Sequence, residues 1–240
     1  MSYTIIRVKV PDLPTAFRSG NTNYSNPATK AANIRMIQNI NRQYGQIINR
    51  WGEVFAIPNG VIIAFIATES GGIMQPPNRF KATGLMQVTP NALWESVKKW
   101  KRTTKTDMPK QAEDVLRRQL PEIYSSNAVA PNAAISQKML NLYQKDANFN
   151  ILAGTIVLRW LLERFSTMQT GGQLNKAMVA YNAGAYIRPL NISPTNPIVQ
   201  PIDTLVLATN RLVPLESRNY LYKMLGVDGF LSLIYKDKAI

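Results

Sequence analysis

The chain contains neither histidine nor cysteine, so its chemistry must come from carboxylates, Lys, Tyr, Ser and Thr, or from an oxygen-ligated metal. Those two absences exclude Ser-His-Asp and Cys-His catalysis, Cys/His zinc sites, haem thiolates and disulfides. Fourteen acids remain among 240 residues, few enough to weigh one at a time. Asp146 precedes a helical stripe and reads as its N-cap. Glu216 falls in the first turn of a helix, where the macrodipole favours an anion. Glu163 follows Arg159 by four residues, the spacing of a solvated ion pair on a helix surface. Glu69 has no such local explanation. It lies at the C-terminal end of an apolar helix, where the macrodipole disfavours negative charge, with Ile66, Phe65 and Ile62 behind it at helical spacing. Both effects raise a carboxyl pKa from about 4.3 towards the roughly 6–7 useful to a general acid. A neutral acid there could protonate a leaving-group oxygen, as in glycoside cleavage; the competing reading is a buried acid neutralised by a distant Arg or Lys. Gly71-Gly72 tilts the choice, because it lets the chain open directly after the acid, as a cleft wall requires. Paired-carboxylate glycosidases need a second acid about 5–5.5 Å away (retaining) or about 6.5–9.5 Å away (inverting). None stands out, which leaves room for a mechanism with one acid.

The elements that must position Glu69 are helical. Ile34, Ile37, Ile40, Tyr44, Ile47, Ile48, Trp51 and Phe55 recur at three and four residues, predicting a long amphipathic helix that starts at Asn26-Pro27. Pro58 opens a second helix whose body, Val61 to Ala67, is apolar on every side, which predicts a buried central helix ending at Glu69-Ser70-Gly71-Gly72. Thr89-Pro90 starts another, Asp146 to Phe165 carries a strong apolar stripe, and Leu174 to Tyr181 is closed by Asn182-Ala183-Gly184. Leu215 to Leu225, stopped by Gly226, and Phe230 to Tyr235 are the closing helices, after a proline-rich loop over 188–214. Ile6, Val8 and Val10 alternate with Arg7 and Lys9, as in a short edge strand within residues 4–10. The reading is a mainly α chain with little or no sheet: an N-terminal arm over 1–30, one domain over 31–240, and an insertion at 95–145 marked by charge and prolines.

Charge bears on partners. Twenty-eight Lys and Arg give a formal +14, which predicts attraction to polyanions such as nucleic acid, anionic lipid or a bacterial wall. The basic residues are scattered, and the one concentration, Lys98, Lys99, Lys101, Arg102 and Lys105, reads as a solvated helix end. No nucleic-acid motif accompanies it, so no specific nucleic-acid partner is expected. Residues 1–20 lack the apolar run of a secretory signal, and no stretch reaches the roughly 18 apolar residues of a membrane span. The expectation is a chain with no transmembrane segment and no export address.

Four strings stand in order along the chain: Ile62 to Ser70 around the acid, Gly84-Leu85-Met86-Gln87, Ala180-Tyr181-Asn182-Ala183-Gly184, and Pro214 to Tyr220. Together they resemble the lytic transglycosylases of the soluble type, lysozyme-like enzymes that cleave peptidoglycan. A fifth match is Asp146 to Gly154, with Asn150, Ile151 and Gly154 in place, and the acid precedes the Gly-Leu-Met-Gln run by fifteen residues, as in that family. The resemblance runs from about residue 34 to about 225 and implies a lysozyme-like helical domain with Glu69 as the single catalytic acid and base. It implies cleavage of the MurNAc-GlcNAc bond with closure of the muramic 6-hydroxyl on its own anomeric carbon, so that neither water nor a second carboxylate is used. It also implies that Ser70, Met86, Gln87, Tyr181, Asn182 and Tyr220 line the glycan groove or surround the acid, with Tyr220 hydrogen-bonded to Glu69. No metal and no cofactor are implied.

The chain departs from the family's pattern at Asn78, where a serine is usual, and at Lys81-Ala82, where the family has Gly-Ala; Lys81 therefore alters the local shape of the groove. The partners implied are peptidoglycan glycan strands, the anionic cell wall and other virion proteins. The expected setting is a phage virion acting on the host wall or periplasm, the alternative being a secreted or periplasmic bacterial enzyme whose signal has been removed. Two other functions fit the same residues: a hydrolytic muramidase of the same fold, and a non-catalytic wall-binding protein. A nucleic-acid binder rests on basicity alone.

Overall fold

The computed structural model describes Val8 and residues 27–165, 174–184 and 213–240. Among these residues the fold is mainly helical, and the only β pairing is an isolated antiparallel bridge between Thr83 and Val88. Of the expected edge strand only Val8 is described, and it is not in a strand; the Asn26 cap and almost all of the 188–214 loop also lie outside the described residues.

Helix α1 (Pro27–Phe55) forms along the expected stripe, with Ile37, Ile40, Ile48, Trp51 and Phe55 buried and Ile34, Tyr44 and Ile47 packed at the edge of the core. A sharp turn follows, in which Ile57 N–H donates to Gly52 O at 2.8 Å, and Pro58 then caps α2 (Asn59–Ser70). With Val61 to Ala67 apolar throughout, α2 has no face that prefers water, so it sits inside, against α1 and the two closing helices. The second interior helix is α8 (Ala147–Arg164), buried continuously from Phe149 to Leu162. Its N-terminus is held by Asp146, which accepts from Phe149 N–H at 3.0 Å, and Trp51 ties α1 to it by donating to Asn148 Oδ1 at 2.9 Å.

Glu163 does pair with Arg159, but the pair is not a solvated one: Arg159 is 3% exposed and also donates to Phe55 O, at the end of α1. Spacing along one helix reveals the partner; it does not reveal that α8 is covered on nearly all sides.

Between the two interior helices the chain forms α3 (Pro90–Lys98), α4 (Trp100–Thr104), α5 (Lys110–Gln119), α6 (Glu122–Ser125) and α7 (Ala133–Lys145). Thr89 caps α3 by accepting from Ala92 N–H at 3.1 Å. Residues 95–145 send Trp100, Leu116, Leu120, Ile123, Met139 and Tyr143 into the same core, and α4 and α7 pack on α8. The basic cluster lies at the ends of α3 and α4 with local partners: Lys99 pairs with Glu95 at 2.5 Å and Lys101 with Asp107 at 2.9 Å. Helices α9 (Leu174–Ala183), α10 (Leu215–Leu225) and α11 (Phe230–Tyr235) complete the fold, α9 bridging α8 and α10. No helix among the described residues is long and apolar enough to cross a membrane.

Candidate active site

The end of α2 creates the site. Gly71 takes a left-handed conformation (φ 65°), and its N–H closes the helix on Ala67 O at 3.1 Å. The chain turns away at once, and Glu69 is left partly buried at the edge of a cavity of about 500 Å³. Tyr220, on α10, donates to Glu69 Oε1 at 2.8 Å. Burial raises the Glu69 pKa from 4.5 to about 7; the Tyr220 hydrogen bond and the Lys223 charge oppose the rise, and the Glu216 charge adds to it. The C-terminal end of the α2 dipole acts in the same direction as burial. Near neutrality the group therefore exists as both acid and carboxylate. Burial also keeps the Tyr220 and Tyr181 hydroxyls well above their ordinary range, so both remain hydrogen-bond donors.

Phe65, one turn before Glu69, orients both tyrosines. The Tyr181 ring meets it edge-on at 4.9 Å, and the Tyr220 ring lies tilted at 6.1 Å. The apolar helix that raises the acid's pKa thus also fixes the rings beside it.

One wall of the cavity is the segment from Gly71 to Thr89, built around the Gly-Leu-Met-Gln run. Asn150 of α8, fully buried, accepts from Met86 N–H at 2.9 Å and donates to Thr83 O at 3.0 Å. Tyr181 donates to Met86 O at 2.9 Å. Only glycine fits at position 84: its φ is 80°, and a Cβ there would lie 2.2 Å from Asn150 Nδ2. Gln87 donates from Nε2 to Gly84 O at 2.9 Å and faces the cavity, while Met86 is packed inward over Gly154. At the outer turn, Asn78 Oδ1 accepts from Phe80 N–H at 2.8 Å and from Ala82 N–H at 3.1 Å, and Lys81 takes φ 64°.

The opposite wall comes from α9 and α10. Ser217 donates to Asn182 Oδ1 at 2.7 Å, joining the two helices at the point where Asn182 lines the cavity. Glu216, Asn219 and Lys223 line the cavity beside Tyr220.

Of the residues singled out from sequence, Glu69, Gln87, Tyr181, Asn182 and Tyr220 meet around this cavity. Ser70 and Met86 do not line it. Ser70 is the last residue of α2, and its hydroxyl donates to Ile66 O at 3.1 Å. Met86 is fully buried, and it is its backbone groups that Asn150 and Tyr181 hold. In the sequence Glu216 is accounted for by the helix dipole, and neither Asn219 nor Lys223 stands out as a site residue. A signal was available, because 216, 220 and 223 share one helical face, so whatever Tyr220 meets, Glu216 and Lys223 flank. Phe80 and Thr89 also line the cavity. Among the described residues no three acidic side chains gather as metal ligands would. The arrangement can donate a proton from a buried acid and take it back, with fixed hydroxyl and amide groups to orient a polar polymer. The chain matches no protein-family model and no curated protein.

Proposed function

We propose that the protein is a peptidoglycan lytic transglycosylase in which Glu69 is both acid and base. The observation that carries this reading is a carboxyl at the edge of an open cavity with a pKa of about 7, hydrogen-bonded by Tyr220. With Oε1 accepting from Tyr220, the proton is carried on Oε2. Glu69 gives it to the glycosidic oxygen between N-acetylmuramic acid and N-acetylglucosamine, and the bond from the muramic anomeric carbon to that oxygen breaks. The carboxylate left behind takes the proton of the muramic 6-hydroxyl, whose oxygen bonds to the anomeric carbon and forms a 1,6-anhydro end. The proton returns to Glu69, and no water is consumed. A pKa near neutrality suits both halves, since neither protonation state lies far from ambient pH. Burial around Tyr220 keeps its hydroxyl protonated, so the hydrogen bond steadies the carboxylate when it forms. The order and spacing of the five sequence strings support the same assignment, and the formal +14 charge suits adhesion to an anionic wall.

Glu216 favours a second reading. It lines the same cavity and its charge is felt at Glu69, so it could direct a water to the anomeric carbon, which would make the enzyme a hydrolytic muramidase. Mass spectrometry of muropeptides released from purified peptidoglycan separates the two. The 1,6-anhydro ends are expected, absent with Glu69→Gln; reducing ends in their place establish hydrolysis, and intact peptidoglycan under wild-type protein leaves only wall binding.

A further inference from the structure

Three aromatic rings line the cavity, and they are held differently. Tyr181 and Tyr220 are packed on Phe65, with their hydroxyls committed to Met86 O and Glu69. Phe80 is 67% exposed, on the opposite rim from α10. Its ring contact is with Arg79, whose guanidinium carbon lies 4.6 Å from the ring centroid. Its backbone is fixed by the turn in which Asn78 Oδ1 accepts the N–H groups of Phe80 and Ala82, and in which Lys81 adopts a positive φ. A large apolar ring is thus held in water at the mouth of a cavity otherwise rich in hydroxyl, amide and charged groups. Single exposed apolar side chains are ordinary on a protein surface, Ile73 and Val129 among them here, and what sets Phe80 apart is its place in the lining of the cavity that holds Glu69. One face is taken by Arg79, and a flat apolar surface remains for a ligand.

A pyranose in a β-1,4-linked glycan fits that surface. Its axial C–H groups make an apolar face that covers an aromatic ring, while its hydroxyl and acetamido groups reach the polar groups of the opposite wall. We propose that Phe80 is a sugar-stacking residue that sets how tightly the cleft holds a glycan strand, with Arg79 as the positioning residue behind its ring. This rests on the glycan-cleaving reading above. Preorganisation of the turn means that little ordering cost is incurred when the sugar arrives.

The test is calorimetric titration of the full chain with chitohexaose, a β-1,4-linked N-acetylglucosamine hexamer, run beside turbidity clearance of purified peptidoglycan. Phe80→Ala is expected to weaken chitohexaose binding about tenfold, from the apolar area uncovered, Phe80→Tyr to restore it, and Arg79→Gln to weaken it severalfold. Because Phe80 is exposed, these variants are expected to keep the wild-type circular dichroism and melting temperature. Equal affinity in wild type and Phe80→Ala overturns the assignment, as does absence of chitohexaose binding by the wild type. Binding that depends on Phe80 without any clearance of peptidoglycan supports the stacking role and overturns the catalytic reading instead.

Discussion

Replacing Glu69 by glutamine removes a titration that the fold works against, so the variant is expected to be more stable than the wild type, by an amount that depends on pH. In the folded chain the carboxyl pKa is raised from 4.5 to about 7, chiefly by burial. A raised acid contributes its full stability below the unfolded value and loses it as pH rises towards the folded value. The loss therefore begins near pH 4.5, grows by about 1.4 kcal/mol per pH unit, and levels off above about pH 7, reaching about 3 kcal/mol. Glutamine carries no charge, and its carbonyl can still accept from Tyr220, so the variant escapes this loss. The difference between the two proteins should be small at pH 4.5 and about 3 kcal/mol at pH 8, which for a chain of this size is roughly 6–12 °C in melting temperature. Urea unfolding at a series of pH values between 4.5 and 8.5 measures it. A difference that stays constant across this range would mean that Glu69 titrates normally, and the argument from burial to acid catalysis would fail. Loss of peptidoglycan clearance together with a gain in stability is the signature expected of a group placed for chemistry.

Tyr220→Phe removes a hydrogen bond that lowers the Glu69 pKa, so the alkaline limb of the activity profile should move to higher pH while maximal turnover falls; an unmoved limb would detach Tyr220 from the titration. Glu216→Gln removes a charge that raises the same pKa, and the limb should move slightly to lower pH with the 1,6-anhydro product retained. Loss of turnover in that variant, read by mass spectrometry of the muropeptides, would transfer the base's role to Glu216. Asn150→Ala leaves Met86 N–H unpaired inside the protein and removes one of the two donors to Thr83 O, which keeps Val88 N–H, and should cost about 1–3 kcal/mol in urea unfolding, with loosened substrate binding. A change below about 0.5 kcal/mol would show that solvent replaces the amide.

Much of the scaffold was legible in the residues because the physics that decides it is local. The all-round apolar run of α2 has only one place to go, and Thr89 and Asp146 cap their helices as their side chains predict. The oddity of Glu69 was legible for the same reason, since a helix end and three apolar neighbours suffice to make a carboxylate unwelcome. What the residues did not disclose depends on distant chain segments. Arg159 and Glu163 have the spacing of a surface pair, yet α1, α3, α4, α7 and α9 all pack on α8. Met86 has a side chain that looks like a binding group, but its backbone does the positioning, because Asn150 reaches across 64 residues to its N–H and Tyr181 across 95 to its carbonyl.

The same helix accounts for both what was legible and what was not. Because α2 is apolar on every side it must be interior, and an interior helix that ends at a glycine turn leaves its last turn at a boundary between core and cavity. A carboxyl there loses hydration to the elements packed around it, and at Glu69 that burial outweighs the groups that lower its pKa. Whether it becomes an acid catalyst depends on what the distant elements place opposite it: Tyr220 to steady the carboxylate, Lys223 and Glu216 to adjust its titration, and a loop held by Asn150 to form the other wall. Position along α2 makes the acid available, and the packing of α8, α9 and α10 decides what it can reach.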